Sequence, residues 1–359
     1  MTTEGRLGVA LVGAGDIAER YAADVPKQPS LRLLGVTDLD ETRANRLAAV
    51  HRVRAYPSLD DLLADEEVAI VVNLTSHRAH VPVTRAALEA RRHVFSEKPL
   101  ALDPADAHEL VATARDRGVR LGAAPSVLLG EMAATAREWI SSGRLGSVRL
   151  AYADVNWGRI ETWHDSPEGF YDVGPLYDVG VYPLTLLTGL LGPARRVTAA
   201  GGRLLEERRT KAGGTFRIGA PDAVVAAIEL ESGALVRLTA DFYVADPARQ
   251  RGVELHGDEG SLWLSNWFRF RGSVEAAVPW GSPYAEVPLI REPVDDMPWA
   301  AGAEELARAV IEDRPMRAAG GEHAAHVVDV LGAIMTSIDE GRAIDLEPGR
   351  RVSPEAHRA

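Results

Sequence analysis

The strongest constraint on this chain is the junction Leu7-Gly8-Val9-Ala10-Leu11-Val12-Gly13-Ala14-Gly15-Asp16-Ile17-Ala18. Its apolar first half has the length and texture of a strand covered on both faces, as in a parallel sheet. Gly13 permits the tight turn that must follow, and Gly15 lets the backbone approach a pyrophosphate. Ala18 takes the third small position, where a helix packs closely on the strand. Residues 16–23 read as that helix, its N-terminus offering free N–H groups and a favourable dipole to phosphate. Gly13, Gly15, Asp16 and Ile17 are therefore candidate dinucleotide contacts.

A second strand, 31–37, ends at Asp38. An acid about 20 residues past the glycine loop is placed to accept hydrogen bonds from the adenosine ribose. A carboxylate there also repels the extra phosphate of NADP, so NAD is the expected cofactor and NADP the disfavoured one. Helix 41–50, a short strand within 51–57, helix 59–64 capped by Ser58, strand 68–74 and helix 82–91 continue the alternation. Strand 93–96 runs into Glu97-Lys98-Pro99. Asp103-Pro104 opens a helix that Gly118 ends, and 119–123 is a further strand.

This alternation predicts an α/β fold: an N-terminal Rossmann domain with a parallel sheet over residues 1–124, binding its ligand beyond the C-terminal strand ends. Thr75, His77, His80, Glu97 and Lys98 all fall at such ends and join the cofactor candidates. His80 equally suits capping the helix that follows it.

From Pro125 the texture changes. Helix 132–141 precedes strands at 147–156, 197–202, 223–230, 234–244, 251–256 and 260–264. Residues 174–191 look helical in their second half, 303–312 and 322–340 are helices, and a short strand at 343–346 closes. The pattern predicts an α+β domain over 125–347 with a large open mixed or antiparallel sheet, followed by a polar tail, 348–359.

Bulk properties narrow the function. A net charge of −12 argues against nucleic-acid and anionic-membrane partners. The absence of cysteine excludes disulfides, thiolate nucleophiles and thiolate-bound zinc. No segment approaches the ~20 apolar residues of a membrane span, and no signal-peptide pattern is present, so a cytoplasmic protein is expected. His323, His326 and Asp329 share a helix face but read as packing residues, and no metal is expected.

Three motifs in order carry a family likeness: Gly-x-Gly-x-Ile-Ala at 13–18, Glu97-Lys98-Pro99, and Gly174-Pro175-Leu176-Tyr177-Asp178-Val179-Gly180-Val181-Tyr182. The chain resembles the Gfo/Idh/MocA family, named for glucose-fructose oxidoreductase and inositol dehydrogenase, from Leu7 to about Leu346. The resemblance implies an NAD(P)-dependent enzyme moving hydride to or from a secondary hydroxyl of a sugar, glycoside or cyclitol. It implies that Lys98 lies near the nicotinamide ribose and the reacting hydroxyl, and that Asp178 orients substrate and acid/base. It also implies a homodimer or homotetramer through the C-terminal sheet. The family's last motif position is usually histidine; Tyr182 stands there instead, as in members resembling glucose-fructose oxidoreductase and dihydrodiol dehydrogenases. The glycine cluster before this motif is reduced to Gly174.

A tyrosine with its ordinary pKa near ~10 is a poor base at neutral pH, and a nearby ammonium lowers that value. Lys98, Asp178 and Tyr182 are thus the catalytic candidates, with either Lys98 or Tyr182 the direct proton carrier. Trp157, Arg159 and His164, with Trp163 beside them, suit a sugar ring with apolar faces and a hydroxyl rim. Trp263, Trp267, Phe268 and Phe270 read as core or as a subunit interface. Two alternatives share these residues: an enzyme that retains NAD and runs oxidation, elimination and reduction on a glycoside, and a non-catalytic NAD or sugar sensor.

Overall fold

The computed structural model describes residues 5–245, 248–292 and 297–347; the 348–359 tail lies outside them. The chain forms two compact units. The first combines the N-terminal segment through Ser126 with Pro298–Val328. Its six strands are β1 (Leu7–Val12), β2 (Leu31–Thr37), β3 (Arg54–Ala55), β4 (Val68–Asn73), β5 (His93–Ser96) and β6 (Leu121–Ala123). They run parallel in the order β3-β2-β1-β4-β5-β6, the doubly wound arrangement the glycine junction predicts.

Each strand alternates its side chains between two cores. Val9 and Leu11 of β1 pack with Ala18, Tyr21 and Ala22 of the helix Ala18–Asp24, whereas Ala10 and Val12 pack with Leu88 and Leu110 on the other face. Local signals end the helices where expected. Ser58 Oγ accepts the Asp61 N–H at 3.1 Å, Asp103 accepts the Ala105 N–H at 2.7 Å, and Gly118 closes its helix at φ 67°. One helix begins earlier than expected, at His80 rather than Pro82, because Pro82 fits its first turn.

One boundary is corrected. The sequence pattern ran the second domain unbroken from 125 to 347, but the helix Ala301–Ile311 belongs to the first unit. Its Ala303, Leu306 and Ala307 share a core with Phe95, Ile70 and Val72. Its sequence records an apolar face but not which sheet that face covers.

The second unit contains Val127–Met297 and the chain from Asp329. Its strands are β7 (Val148–Asn156), β8 (Ala194–Gly202), β9 (Glu207–Arg209), β10 (Thr215–Arg217), β11 (Ala223–Leu230), β12 (Leu235–Asp241), β13 (Gly252–Gly257), β14 (Ser261–Leu264), β15 (Val274–Ala277), β16 (Ala285–Val287) and β17 (Ile344–Asp345). Nine of them form one sheet, β16-β15-β14-β13-β7-β12-β11-β8-β17, antiparallel except between β7 and β12. β9 and β10 form a separate hairpin. That hairpin, β15, β16 and the helix Glu168–Pro175 carry too few periodic apolar residues to announce themselves in the sequence.

Gly302 tests the packing of the first core. A Cβ there would lie 2.2 Å from Phe95 Cζ and 2.3 Å from Ser126 Oγ. Gly302→Ala is expected to cost about 1–3 kcal/mol through overpacking, outweighing its better helix propensity. Urea unfolding measures this as a lower midpoint at unchanged slope; an unchanged midpoint would show that the helix can shift away from Phe95 without penalty.

Candidate active site

In the first unit, strand register sets the cofactor edge. Val12 is paired with Thr37 and Asn73, Asn73 with Ser96, and Ser96 with Ala123. The residues that follow these positions therefore emerge along one line: Gly13, Asp38, Thr75 and Glu97-Lys98. Gly13 has φ 102°, and a Cβ on it would come within 2.7 Å of the Leu74 carbonyl oxygen. Gly15 is exposed, with open space where a Cβ would stand, and the helix behind it has no side-chain cap at Ile17. Asp16 is exposed and Ile17 half-buried. Asp38 Oδ2 accepts the Ala14 N–H at 2.6 Å, and Oδ1 accepts the Asp40 N–H at 2.8 Å. The carboxylate thus sits against the glycine loop, as a ribose ligand must. These features fit a bound dinucleotide: an open glycine for the pyrophosphate, uncapped helix N–H groups and a preset carboxylate.

Two residues absent from the sequence reading hold this edge in shape. Asn73 is fully buried. Its amide donates to the His80 carbonyl and to Thr84 Oγ1, both at 3.0 Å, while its Oδ1 accepts from the Thr75 hydroxyl at 2.7 Å. Tyr21 donates its hydroxyl to Glu97 Oε1 at 2.7 Å, and Glu97 Oε2 accepts the Lys98 N–H at 3.0 Å. The helix that follows the glycine loop is thereby tied to the Glu-Lys-Pro turn. An asparagine ending an apolar strand was the available signal for the first; nothing marked the second.

His80 differs from its expected role. It is buried, with Nδ1 2.7 Å from the Pro99 carbonyl oxygen and Nε2 3.1 Å from that of Thr75. It therefore braces the Glu-Lys-Pro turn from within rather than reaching outward. Burial holds its pKa below the usual histidine range, against the Pro99 carbonyl and the Glu97 charge, which raise it. The shorter contact assigns the N–H to Nδ1. His77 and Thr75 are half-buried beside it, and Glu97 is buried and Lys98 half-buried.

In the second unit, Asp178 lies in a π-helical turn, Leu176–Gly180, that leads into the helix Val181–Leu191. Such turns recur at functional sites. Asp178 is buried; Tyr182, in the first turn of that helix, is half-buried. The Tyr182 ring meets Trp267 at 5.7 Å and Phe268 at 6.3 Å between centroids, and Trp157 lies 5.5 Å from each of those two rings. Trp267 and Phe268 thus surround the candidate acid/base. Trp267 and Phe270 are buried, while Trp263 is half-buried with its indole N–H on the Arg251 carbonyl at 3.2 Å. Arg159 is exposed and stacks over the Tyr243 ring at 4.7 Å; His164 packs edge-on against Trp163 and Phe170.

Comparison with known proteins identifies the family. The family model of the Gfo/Idh/MocA oxidoreductases with an NAD-binding Rossmann fold matches residues 7–124, and the model of the family's C-terminal domain matches residues 133–263. A dTDP-3,4-didehydro-2,6-dideoxy-alpha-D-glucose 3-reductase from Streptomyces violaceoruber is 33% identical over 72% of this chain and 72% of its own length. A 1,5-anhydro-D-fructose reductase from Ensifer adhaerens is 27% identical over 70% of this chain and 74% of its own. The crystal structure of GenD2 from gentamicin A biosynthesis, in complex with NAD, superposes with a TM-score of 0.77 at 28% identity, covering 97% of this chain and 98% of that one. The chain belongs to the Gfo/Idh/MocA oxidoreductase family, and its first unit is an NAD-binding Rossmann domain. Among the described residues no helix is long and apolar enough to cross a membrane, and no cluster of side chains could hold a metal ion.

Two outcomes follow from the cofactor edge. Asp38→Ser removes the acceptor for the ribose hydroxyls and the charge that opposes a phosphate. NAD⁺ affinity should fall about tenfold, the factor that ~1.4 kcal/mol supplies, and NADP⁺ affinity should rise. Calorimetric titration with both nucleotides reads this, and an unchanged NAD⁺ to NADP⁺ ratio contradicts the role of Asp38. His80 sets a pH dependence. Burial holds the His80 pKa in the native state below its value in the unfolded chain, which protonates it near pH ~6.5. Stability is therefore full above that pH and falls as pH drops through and below it. Denaturant midpoints between about pH 7 and 5.5 should decline, with a shallower slope in His80→Gln.

Proposed function

We propose that this protein transfers hydride between a secondary hydroxyl of a sugar, glycoside or cyclitol and NAD, with Tyr182 as acid/base assisted by Lys98 and Asp178. The observation that carries this reading is the setting of Tyr182. A phenol stands one helical turn after the buried carboxylate of Asp178, on the helix that follows the π-turn, with its ring against Trp267 and Phe268 and with Trp157 behind them. Aromatic rings of this kind pack on the apolar faces of a sugar ring. The named sugar reductases among its relatives support the substrate class.

When bound, NAD supplies the hydride acceptor. The chain's own residues do the rest. Asp38 and the glycine loop hold the dinucleotide, with Thr75, His77 and Glu97 at the same strand ends. Tyr182 takes the hydroxyl proton in oxidation and returns it in reduction. Lys98 lowers the phenol's pKa by charge and ligates the reacting oxygen, and Asp178 orients the alcohol. Trp157, Arg159 and His164 bind the remainder of the ring.

We also propose a homodimer or homotetramer through the outer face of the nine-stranded sheet. That face leaves Val225 of β11 and Leu235 of β12 exposed, at 52% and 42%. Apolar side chains on an open sheet favour burial against a second copy. Light scattering after gel filtration reads the state, and Val225→Lys with Leu235→Lys should shift it toward monomer.

The activity is tested by following reduced-nicotinamide absorbance with NAD⁺ and a panel of aldoses, glycosides, inositols and dihydrodiols. Turnover on one hydroxyl class is expected, with kcat/KM reduced by about 10²–10⁴ in Lys98→Ala and Tyr182→Phe, the usual worth of a positioned acid/base. Full activity of Tyr182→Phe would transfer the proton role to Lys98. Tight NAD binding with no turnover anywhere on the panel would overturn the dehydrogenase reading in favour of a sensor.

A further inference from the structure

Among the described residues the hairpin of β9 and β10 makes no ladder with the nine-stranded sheet, yet it carries a fully buried charged side chain. The Arg208 side chain is 0% exposed. Its Nη1 donates to Glu161 Oε1 at 2.8 Å, to the Tyr171 hydroxyl at 3.1 Å and to the Phe242 carbonyl at 3.3 Å. Its Nη2 donates to Asp222, and its Nε to the Leu205 carbonyl at 3.1 Å. The guanidinium also lies 4.8 Å from the Tyr171 ring centroid, and the Tyr171 hydroxyl donates to Glu161. Burial, followed by the Glu161 contact, pushes the Tyr171 phenol well above its ordinary pKa, so it stays a donor.

Stability alone does not call for this arrangement. A buried ion pair can often be replaced by well-packed apolar side chains with no loss of stability. The guanidinium fork supplies direction instead, holding several partners at fixed angles. Two of those partners, Glu161 and Tyr171, belong to the two segments that bear the proposed substrate residues. Glu161 lies in the turn Ile160–Thr162, between Arg159 and His164. Tyr171 lies on the helix Glu168–Pro175, which leads through Gly174 to Asp178 and Tyr182.

Asp222 adds a second hold on that helix. The chain before it packs on the Gly174 kink, where a Cβ would lie 2.7 Å from the Pro221 carbonyl oxygen, and the Ala220 N–H donates to the Tyr171 carbonyl at 3.1 Å. At the hairpin tip, Lys211 Nζ pairs with Asp165 at 2.6 Å and donates to the Trp163 carbonyl at 3.3 Å. The hairpin therefore grips the 159–166 segment at both ends, from inside through Arg208 and from outside through Lys211.

We propose that the 207–217 hairpin is a clamp that fixes the geometry of the substrate-facing segments 159–166 and 168–182, with Arg208 and Lys211 as its positioning residues. The proposal rests on the reading of Arg159, His164, Asp178 and Tyr182 as substrate-side residues. The hairpin then sets which sugar ring is accepted without itself touching the ring.

The test compares the NAD-loaded protein with Lys211→Ala and Arg208→Lys. Hydrogen exchange of 159–182 is measured by mass spectrometry, NAD⁺ affinity by calorimetry, and kcat and KM on the best substrate of the panel above. Lys211→Ala is a surface change, so it should fold. It should speed exchange in 159–166 and raise KM about threefold to tenfold, while kcat and NAD⁺ affinity stay within twofold, the signature of lost ground-state binding. Arg208→Lys cannot reproduce the fork. It should speed exchange in 168–182 as well and lower kcat/KM about a hundredfold, the scale of a 1 Å misplacement.

Unchanged exchange in Lys211→Ala overturns the clamp, as does a KM shift matched by an equal loss of NAD⁺ affinity. If the wild type turns over nothing on the panel, the dehydrogenase reading fails, and the exchange data alone decide the clamp.

Discussion

The parallel hydrogen-bond ladder of the first sheet is what everything at the cofactor edge depends on. It aligns Val12, Thr37, Asn73 and Ser96 in one row, so the residues that follow each of them leave the sheet together. The ladder continues past the strand ends: Gly13 N–H donates to the Thr37 carbonyl at 2.8 Å, and Glu97 N–H to that of Asn73 at 2.8 Å. A slip of one residue in any strand would turn its side chains to the opposite face and withdraw one functional group from the row. The buried bonds of Asn73 and the Tyr21–Glu97 pair then convert a row of strand ends into a shaped surface. Such buried hydrogen bonds rigidify the elements they join.

The first unit was legible because its signals are local. Gly13, Ser58, Asp103 and Gly118 each perform a task decided within a few residues: a turn, two caps and a stop. Asp38 and Lys98 could be placed because parallel strands deliver their C-terminal ends to one edge. Tertiary partners could not be placed. By its position His80 suited either the cofactor or the cap of the following helix, yet its ring is buried with Nδ1 on the Pro99 carbonyl. Arg208 sits in the run Glu206-Glu207-Arg208-Arg209, four charges with no apolar periodicity. Only its distant partners, Glu161 and Asp222, explain why one of those four charges is buried. Trp267 is similar: the sequence marks a large aromatic, but nothing local joins it to Tyr182, 85 positions earlier.

The two units also rely on different kinds of order. The first is held by apolar layers on both faces of a parallel sheet, with polar groups confined to one edge. The second places a buried cation and two carboxylates beneath the segments that carry its candidate substrate residues. Dispersion and hydrophobic burial are tolerant of small shifts, whereas a fork of hydrogen bonds is not. The tolerant architecture underlies the part that binds a cofactor of constant shape. The directional one underlies the part proposed to bind the substrate.

The split first unit has a consequence for how the chain is made. Phe95 emerges from the ribosome with the strands it joins, but the helix that covers it, with Gly302 against its ring, comes only after the whole intervening span of the second unit, residues 127–297. At synthesis rates of about 5–20 residues per second, that delay is roughly 10–30 s. For that interval one face of the nascent sheet, with Ile70, Val72 and Phe95 on it, has no helix 301–311 to close it. Vectorial synthesis thus leaves a half-core of apolar side chains open until the helix 301–311 arrives to cover it.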